Sequence, residues 1–328
     1  MTDKSIKAGQ LLTVGFSGKT ILSSIKRLID NNNLGGIILF ARNGDSLEDF
    51  RALIETIKNG HTHQPLVFID QEGGDVSRIK LDGELGYSAA EWTKKDDLRQ
   101  FKGATRNLAS SLTGCGFDVN TVPVMDMPSS EDIPVLKGRC YGDIPEEVNR
   151  YTSIIIDTYK ETNLIPCGKH FPGLGDVNID PHKDMPYDKS DAERYYKHKF
   201  LPFINAIANK IPMIMTTHIV AEVLDNNNPA TFSNIIVNRI LKDELGFKGL
   251  VVSDDLEMGA IAQNYKWEDC ITGAIEAGHE MLLICHSEDR QLKALEIIAD
   301  KIKKDEAFRI IVENAVNKVL TIKEKHFK

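Results

Sequence analysis

Short apolar runs, rich in β-branched residues, recur eight times along the 328-residue chain, at 11–16, 36–40, 66–70, 117–124, 165–170, 213–218, 250–254 and 281–285. Between them, at 46–59, 145–162, 191–209, 235–245 and 269–277, apolar residues fall at the three- and four-residue spacing of amphipathic helices. Strand alternating with helix implies a parallel sheet whose two faces are covered. Eight such units with no Pro/Gly/Ser-rich linker favour an α/β chain folded as one (β/α)8 TIM-type barrel, a single catalytic domain over 1–328. A doubly wound open sheet would alternate in the same way, and pattern alone leaves it open. The tract 292–322 reads as helical, and its many charges read as a solvated face.

Charge and cysteine usage narrow the function classes. Lys and Arg total 40 against 48 Asp and Glu, a net charge of −8, so there is no basic field to attract nucleic acid or an anionic membrane. Residues 1–7 are polar and the first apolar run is broken by Gly15, Ser17 and Gly18, which predicts neither a signal peptide nor a membrane span and places the chain in the cytoplasm. A monomer is expected. Cys115, Cys140, Cys167, Cys270 and Cys285 are scattered, odd in number and without a CxxC pair, which suits reduced thiols and forms no zinc ligand set.

Reactive side chains gather where the apolar runs end. Leu66-Val67-Phe68-Ile69 runs into Asp70, Val122-Pro123-Val124 toward Asp126, Pro166-Cys167-Gly168 into Lys169 and His170, Met215-Thr216-Thr217 into His218, and Val251-Val252-Ser253 into Asp254. In a (β/α)8 barrel these ends converge on one face, where active sites are built. A lone Asp after a strand more often caps the next helix, and Asp70 and Asp255 are both open to that reading. Five strand ends carrying Asp, Lys or His form an enzyme pattern.

The densest group is 168–176, Gly-Lys-His-Phe-Pro-Gly-Leu-Gly-Asp, followed by Asp180-Pro181-His182. Its Gly and Pro residues predict an irregular loop over the barrel mouth. Asp180 and His182, two apart around a proline, can meet at one bend. A carboxylate on one imidazole nitrogen fixes the tautomer needed by a general acid/base. Alone, His182 would read as a hydrogen-bonded loop residue; its neighbours favour catalysis.

Seven ordered matches between about 35 and 285 carry a resemblance. They are 35–40 with Arg42-Asn43, Asp70-Gln71-Glu72-Gly73-Gly74 with Arg78, Pro123-Val124-Met125-Asp126, Arg139 with Tyr141, Lys169-His170-Phe171-Pro172-Gly173, Asp180 with His182, and Gly246-Phe247 followed by 249–256. The chain resembles the β-N-acetylhexosaminidase branch of glycoside hydrolase family 3. The resemblance implies a cofactor-free retaining exo-β-N-acetylglucosaminidase, with Asp254 as nucleophile, His182 as proton donor and acceptor, and Asp180 orienting His182. It assigns Asp70, Arg78, Arg139, Lys169 and His170 to the hydroxyls and acetamido group of the sugar. It further implies a barrel without the sandwich domain of larger members, acting on small N-acetylglucosaminides such as recycled cell-wall muropeptides. Asp75, Leu174, Cys140 and Glu257 depart from the branch's usual residues and leave the natural aglycone open.

Other readings remain at this point. A β-glucosidase or an N-acetylglucosaminide phosphorylase of the same family would share the site, since an imidazole acid repels phosphate less than a carboxylate does. A metal-dependent barrel hydrolase would use His170, His182, His218 and Asp254 as ligands, but no HxH closes a strand, because His61-Thr62-His63 precedes Gln64-Pro65 and its strand. A non-catalytic sugar-binding protein is disfavoured by the presence of Asp254, His182 and Asp180 together.

Overall fold

A computed structural model describes residues 7–31, 33–61, 63–129, 133–175, 177 and 179–328. Eight parallel strands close a barrel in sequence order: β1 (Leu12–Val14), β2 (Gly36–Leu39), β3 (Leu66–Ile69), β4 (Val119–Asn120), β5 (Ile165–Phe171), β6 (Met213–Thr216), β7 (Leu250–Asp255) and β8 (Met281–Ile284). The (β/α)8 barrel is therefore the observed fold, and the open sheet is excluded because β8 pairs back onto β1, Leu12 opposite Leu282 and Val14 opposite Ile284.

The two-residue period of a strand sorts side chains between barrel interior and helical shell. In β3, Leu66 and Phe68 point inward with Ile38, Val119, Cys167, Met213, Leu250, Val252 and Leu283, while Val67 and Ile69 face the helices beside Ile54 and Leu112. Large and small residues interdigitate: a Cβ at Gly36 would stand 2.7 Å from the Phe68 ring. Burying one such ring contributes roughly 1.5–3 kcal/mol.

Three expectations need adjusting. The run 117–124 yields only a short β4, because Pro123 offers no N–H and the chain rejoins the sheet at a single bridge between Val124 and Lys169. The stretch 191–209 is not one regular helix; a widely wound π turn at Tyr195–Lys199 separates Ala192–Arg194 from Leu201–Ala208. The tract 292–322 is two helices, Glu288–Lys304 and Glu306–His326, broken at Asp305, whose carboxylate caps the second by accepting the Phe308 N–H at 3.0 Å. Nor is that tract wholly solvated, since Ala294, Ile298, Phe308, Val312 and Val316 pack into the shell.

The seam is closed by side chains as well. Gln291 Nε2 donates to the carbonyls of Gly15 at 2.7 Å and Ile284 at 2.9 Å. Beneath the barrel, buried Lys323 donates to Gln10 Oε1 at 2.9 Å and the Leu34 carbonyl at 3.0 Å. All five cysteines are buried free thiols. Among the described residues no helix is long and apolar enough to cross a membrane.

Candidate active site

The C-terminal ends of the strands open into a cleft of about 440 Å³ lined by Asp70, Glu72, Arg78, Arg139, Lys169, His170, His182, Asp254 and His286, among others. Every expected site residue except Asp180 lines it, and Asp180 is bonded to one that does. Asp176, part of the loop segment singled out above, lies outside the described residues.

At the end of β7 two adjacent carboxylates divide the work. Asp254, half-buried, lines the cleft, with Oδ1 accepting the Asp255 N–H at 2.8 Å. Asp255 caps no helix, because the next one begins at Gly259 behind Met258; its Oδ1 instead accepts the N–H groups of Glu257 at 3.1 Å and Cys285 at 3.2 Å and so holds two loops together. Its backbone carbonyl accepts from His218 Nε2 at 2.9 Å, while His218 Nδ1 meets Thr231 Oγ1 at 2.6 Å. Both nitrogens of His218 are thus committed to holding the segment behind Asp254, which removes His218 from the metal-ligand reading. Among the described residues, no group of three or more His, Cys, Asp or Glu is placed to hold a metal ion.

On the opposite wall a desolvated ionic cluster is assembled from three strand ends, those of β3, β4 and β5. Asp70 is no helix cap: it accepts from Arg78 Nη2 at 2.8 Å and from the Thr121 hydroxyl, and Lys169 Nζ lies 3.4 Å away. Burial would raise its pKa, yet Lys169 and Arg78 hold it well below the usual carboxylate range. Lys169 Nζ also donates to Thr121 Oγ1 at 2.9 Å and pairs with Glu72 at 2.7 Å. Glu72 forks onto Arg139, 2.8 Å to both Nε and Nη2, and although burial pushes upward, the two cations bring its pKa to about 2. His170 Nδ1 sits 2.5 Å from Asp126 Oδ2, which places the proton on Nδ1 and leaves Nε2 toward Arg139 Nη2 at 3.5 Å.

Glu72, Thr121 and Asp126 were not assigned roles from the sequence. Glu72 and Asp126 are acidic residues within the matched motifs, and Asp126 follows a strand run, which is the signal the sequence offers.

Above the cleft, the loop that follows β5 brings in His182. Its Nδ1 is 2.8 Å from Asp180 Oδ1, and the same oxygen accepts the His182 backbone N–H at 3.0 Å, closing a tight turn around Pro181. Burial would raise the Asp180 pKa, but these bonds lower it, so the carboxylate is ionised beside the ring. The imidazole is exposed toward the cleft. The loop tip rests on the segment just past Asp254: Gly259 N–H donates to the His182 carbonyl at 3.2 Å and Ala260 N–H to the Pro181 carbonyl at 2.9 Å.

The family model described as the glycosyl hydrolase family 3 N terminal domain matches residues 4–322. The chain belongs to glycoside hydrolase family 3. A beta-hexosaminidase of Alkalilimnicola ehrlichii is 31% identical over 283 residues, 84% of this chain and 80% of that protein. A beta-hexosaminidase of Idiomarina loihiensis is 29% identical over 303 residues, 91% of each. The solved structure of a family 3 beta-N-acetylglucosaminidase from Paenibacillus sp. str. FPU-7 superposes with a TM-score of 0.89 at 28% identity, covering 99% of this chain; the chain spans 63% of that protein's length.

Within this family 3 glycoside hydrolase, the unusual residues find physical places. The Glu257 carboxylate accepts the N–H groups of His286 at 2.6 Å and Ser287 at 3.1 Å, tying the loop after β8 to the loop after β7. Leu174 donates its N–H to Asp126 Oδ1 at 2.6 Å while its side chain packs with Val124, Ile133 and Val177. Cys140 is buried in that same apolar group, and Asp75 is exposed.

Proposed function

We propose that this family 3 glycoside hydrolase is a retaining exo-β-N-acetylglucosaminidase, acting as a monomeric single-domain barrel on terminal β-linked N-acetylglucosamine. One arrangement carries the reading: two carboxylates (Asp70, Glu72) pair with three cations (Lys169, Arg78, Arg139) along a cleft of sugar size, His170 is held from behind by Asp126, and Asp254 and His182 face the same space. A wall whose charges are already paired and which is rich in hydrogen-bonding groups suits a neutral polyhydroxylated ring better than an ionic ligand. The beta-hexosaminidase names of the relatives support an amino sugar, and the beta-N-acetylglucosaminidase from Paenibacillus supports its acetamido form.

Asp254 would attack the anomeric carbon as the protonated His182 Nε2 gives its proton to the leaving oxygen, forming a covalent glycosyl-enzyme. Neutral His182 then takes a proton from water, whose oxygen displaces Asp254 and restores both groups. Asp70, Arg78, Arg139, Lys169 and His170 would hold the ring through charge-assisted hydrogen bonds that tighten on its distorted transition state. No cofactor enters these steps.

The test is hydrolysis of 4-nitrophenyl N-acetyl-β-glucosaminide against the β-glucoside by wild type and Asp254→Ala, with and without phosphate. Preference for the acetamido sugar, lost in the variant and indifferent to phosphate, supports the reading. Activity that requires phosphate makes the protein a phosphorylase, and preference for the glucoside makes it a β-glucosidase. The resemblance further suggests a cytoplasmic role on recycled cell-wall fragments; preference for chitobiose over N-acetylglucosaminyl-anhydromuramyl fragments would overturn that role alone.

A further inference from the structure

We propose that Lys199, which the mechanism above does not use, is a positioning residue for His182: its side chain staples together the two roots of the loop that carries the acid/base. The inference rests on His182 holding that role.

The loop leaves β5 at Phe171 and ends in a short strand, Tyr187–Asp188, paired in parallel with Val220–Ala221. Lys199 touches both roots. Its aliphatic stem runs past Gly173, where an added Cβ would lie 3.3 Å from Lys199 Cβ and Cδ, and where the backbone turns at φ +121°. Its ammonium pairs with the Asp188 carboxylate at the other root, and both side chains are 1% exposed. Asp188 is further held by the Tyr195 hydroxyl at 2.5 Å and the Ser190 N–H at 2.8 Å, and Lys199 Nζ lies 4.6 Å from the centre of the Tyr195 ring.

The wide π turn at Tyr195–Lys199 aims both side chains at Asp188, and such turns are over-represented at functional sites. A buried ion pair is weak evidence for stability, because apolar residues of the same volume often serve as well. A pair that reaches both roots of one loop instead specifies where that loop sits. The tip is held past Asp254 by the backbone hydrogen bonds to Gly259 and Ala260, by Met185 packing on Ala260 and Ile261, and by Asn264 Nδ2 donating to Asp184 Oδ1 at 3.3 Å, and the two roots set the path along which it reaches that seat.

A misplaced acid slows only the chemistry that needs it. Loss of Lys199 should therefore spare a good leaving group such as 4-nitrophenolate and penalise a sugar alcohol, with little change in KM, because Asp70, Arg78 and Arg139 lie on other elements and Lys169 and His170 are held within β5, before the loop begins. Geometric errors of this kind cost up to roughly 10²-fold.

The experiment compares wild type, Lys199→Met, the double variant Asp188→Asn/Lys199→Met, and His182→Ala on 4-nitrophenyl N-acetyl-β-glucosaminide and on chitobiose. Hydrogen exchange is followed over residues 173–188. In both Lys199 variants kcat on chitobiose is expected to fall roughly 10- to 100-fold, with kcat on the nitrophenyl glycoside within about 3-fold. Exchange should quicken in the loop and not in the barrel strands. Parallel loss on both substrates, or no loss in a folded variant, overturns the proposal. Should Lys199→Met fail to fold because Asp188 is stranded, the double variant carries no unpaired charge and decides by the same ratio. His182→Ala must itself show the selective loss; if it does not, the acid/base reading fails, and loop exchange alone then judges the staple.

Discussion

Glu72 Oε1 lies 2.7 Å from Lys169 Nζ and 2.8 Å from Arg139 Nη2, while its second oxygen accepts from Arg139 Nε at 2.8 Å. One carboxylate thus fixes two of the cations that line the cleft. Glu72→Gln leaves both buried cations undercompensated, and breaking such an arrangement typically costs about 3–5 kcal/mol. We expect urea unfolding to show a loss of that order and kcat/KM to fall roughly 10²-fold. A carboxylate held at about pKa 2 stabilises the fold above its ordinary value near 4.5 and loses that contribution as pH falls toward 2, so the stability gap between wild type and variant should narrow in acid.

Asp180→Ala removes both the ring partner of His182 and the acceptor of its backbone N–H. Turnover of chitobiose should fall roughly 10- to 100-fold, against roughly 10²- to 10⁴-fold for His182→Ala. Steady-state kinetics on the two variants check the order. Asp254→Ala should lie below both, since under the proposed mechanism it removes the nucleophile of the covalent intermediate.

Gly259→Ala tests the docking of the loop tip. The new Cβ would stand 2.5 Å from the His182 carbonyl and 2.7 Å from that of Lys183, both backbone atoms. The loop must lift, and chitobiose turnover should drop roughly 10-fold or more. The melting temperature should change by only a few degrees, because the perturbed contacts lie at the rim of the barrel.

Lys323 gives a pH signature unrelated to catalysis. Burial favours its neutral amine, bringing the pKa from 10.5 to about 7 against the opposing pull of Asp118, with Lys7 adding repulsion. Between pH 7 and 10.5 the unfolded chain binds the proton that the folded chain has released, so this group raises stability with pH across that window. Buried Tyr141, Tyr159 and Cys140 have raised pKa values and pull the other way in alkali. The difference between wild type and Lys323→Met therefore isolates the lysine: wild type should gain on the order of 2 kcal/mol relative to the variant from pH 7 to 9.5, read from urea midpoints.

The barrel was legible because its strands are buried on both faces and read as nearly unbroken apolar runs, with reactive residues at their C-terminal ends. Asp254 and His170 could be placed from strand position alone, and Asp180 with His182 from local spacing. What stayed hidden is pairing at long range. Glu72 meets Arg139 and Lys169 from another strand end, and Lys199 meets Asp188 through a π turn that breaks the helical period. Nothing in a local window marks such partners. Asp305 shows the same limit on a smaller scale, since one extended residue divides a tract whose apolar spacing runs through it.

The closure of β8 onto β1 also bears on how the chain is made. Leu12 emerges from the ribosome early and must wait, with one edge of its strand unpaired, until Leu282 has been synthesised. Gln291 and Lys323, which stitch that join, follow later still. Pairings this distant in sequence are slow to form, so the half-finished barrel exposes a sticky strand edge that the cell must shield or the growing chain must cover for itself.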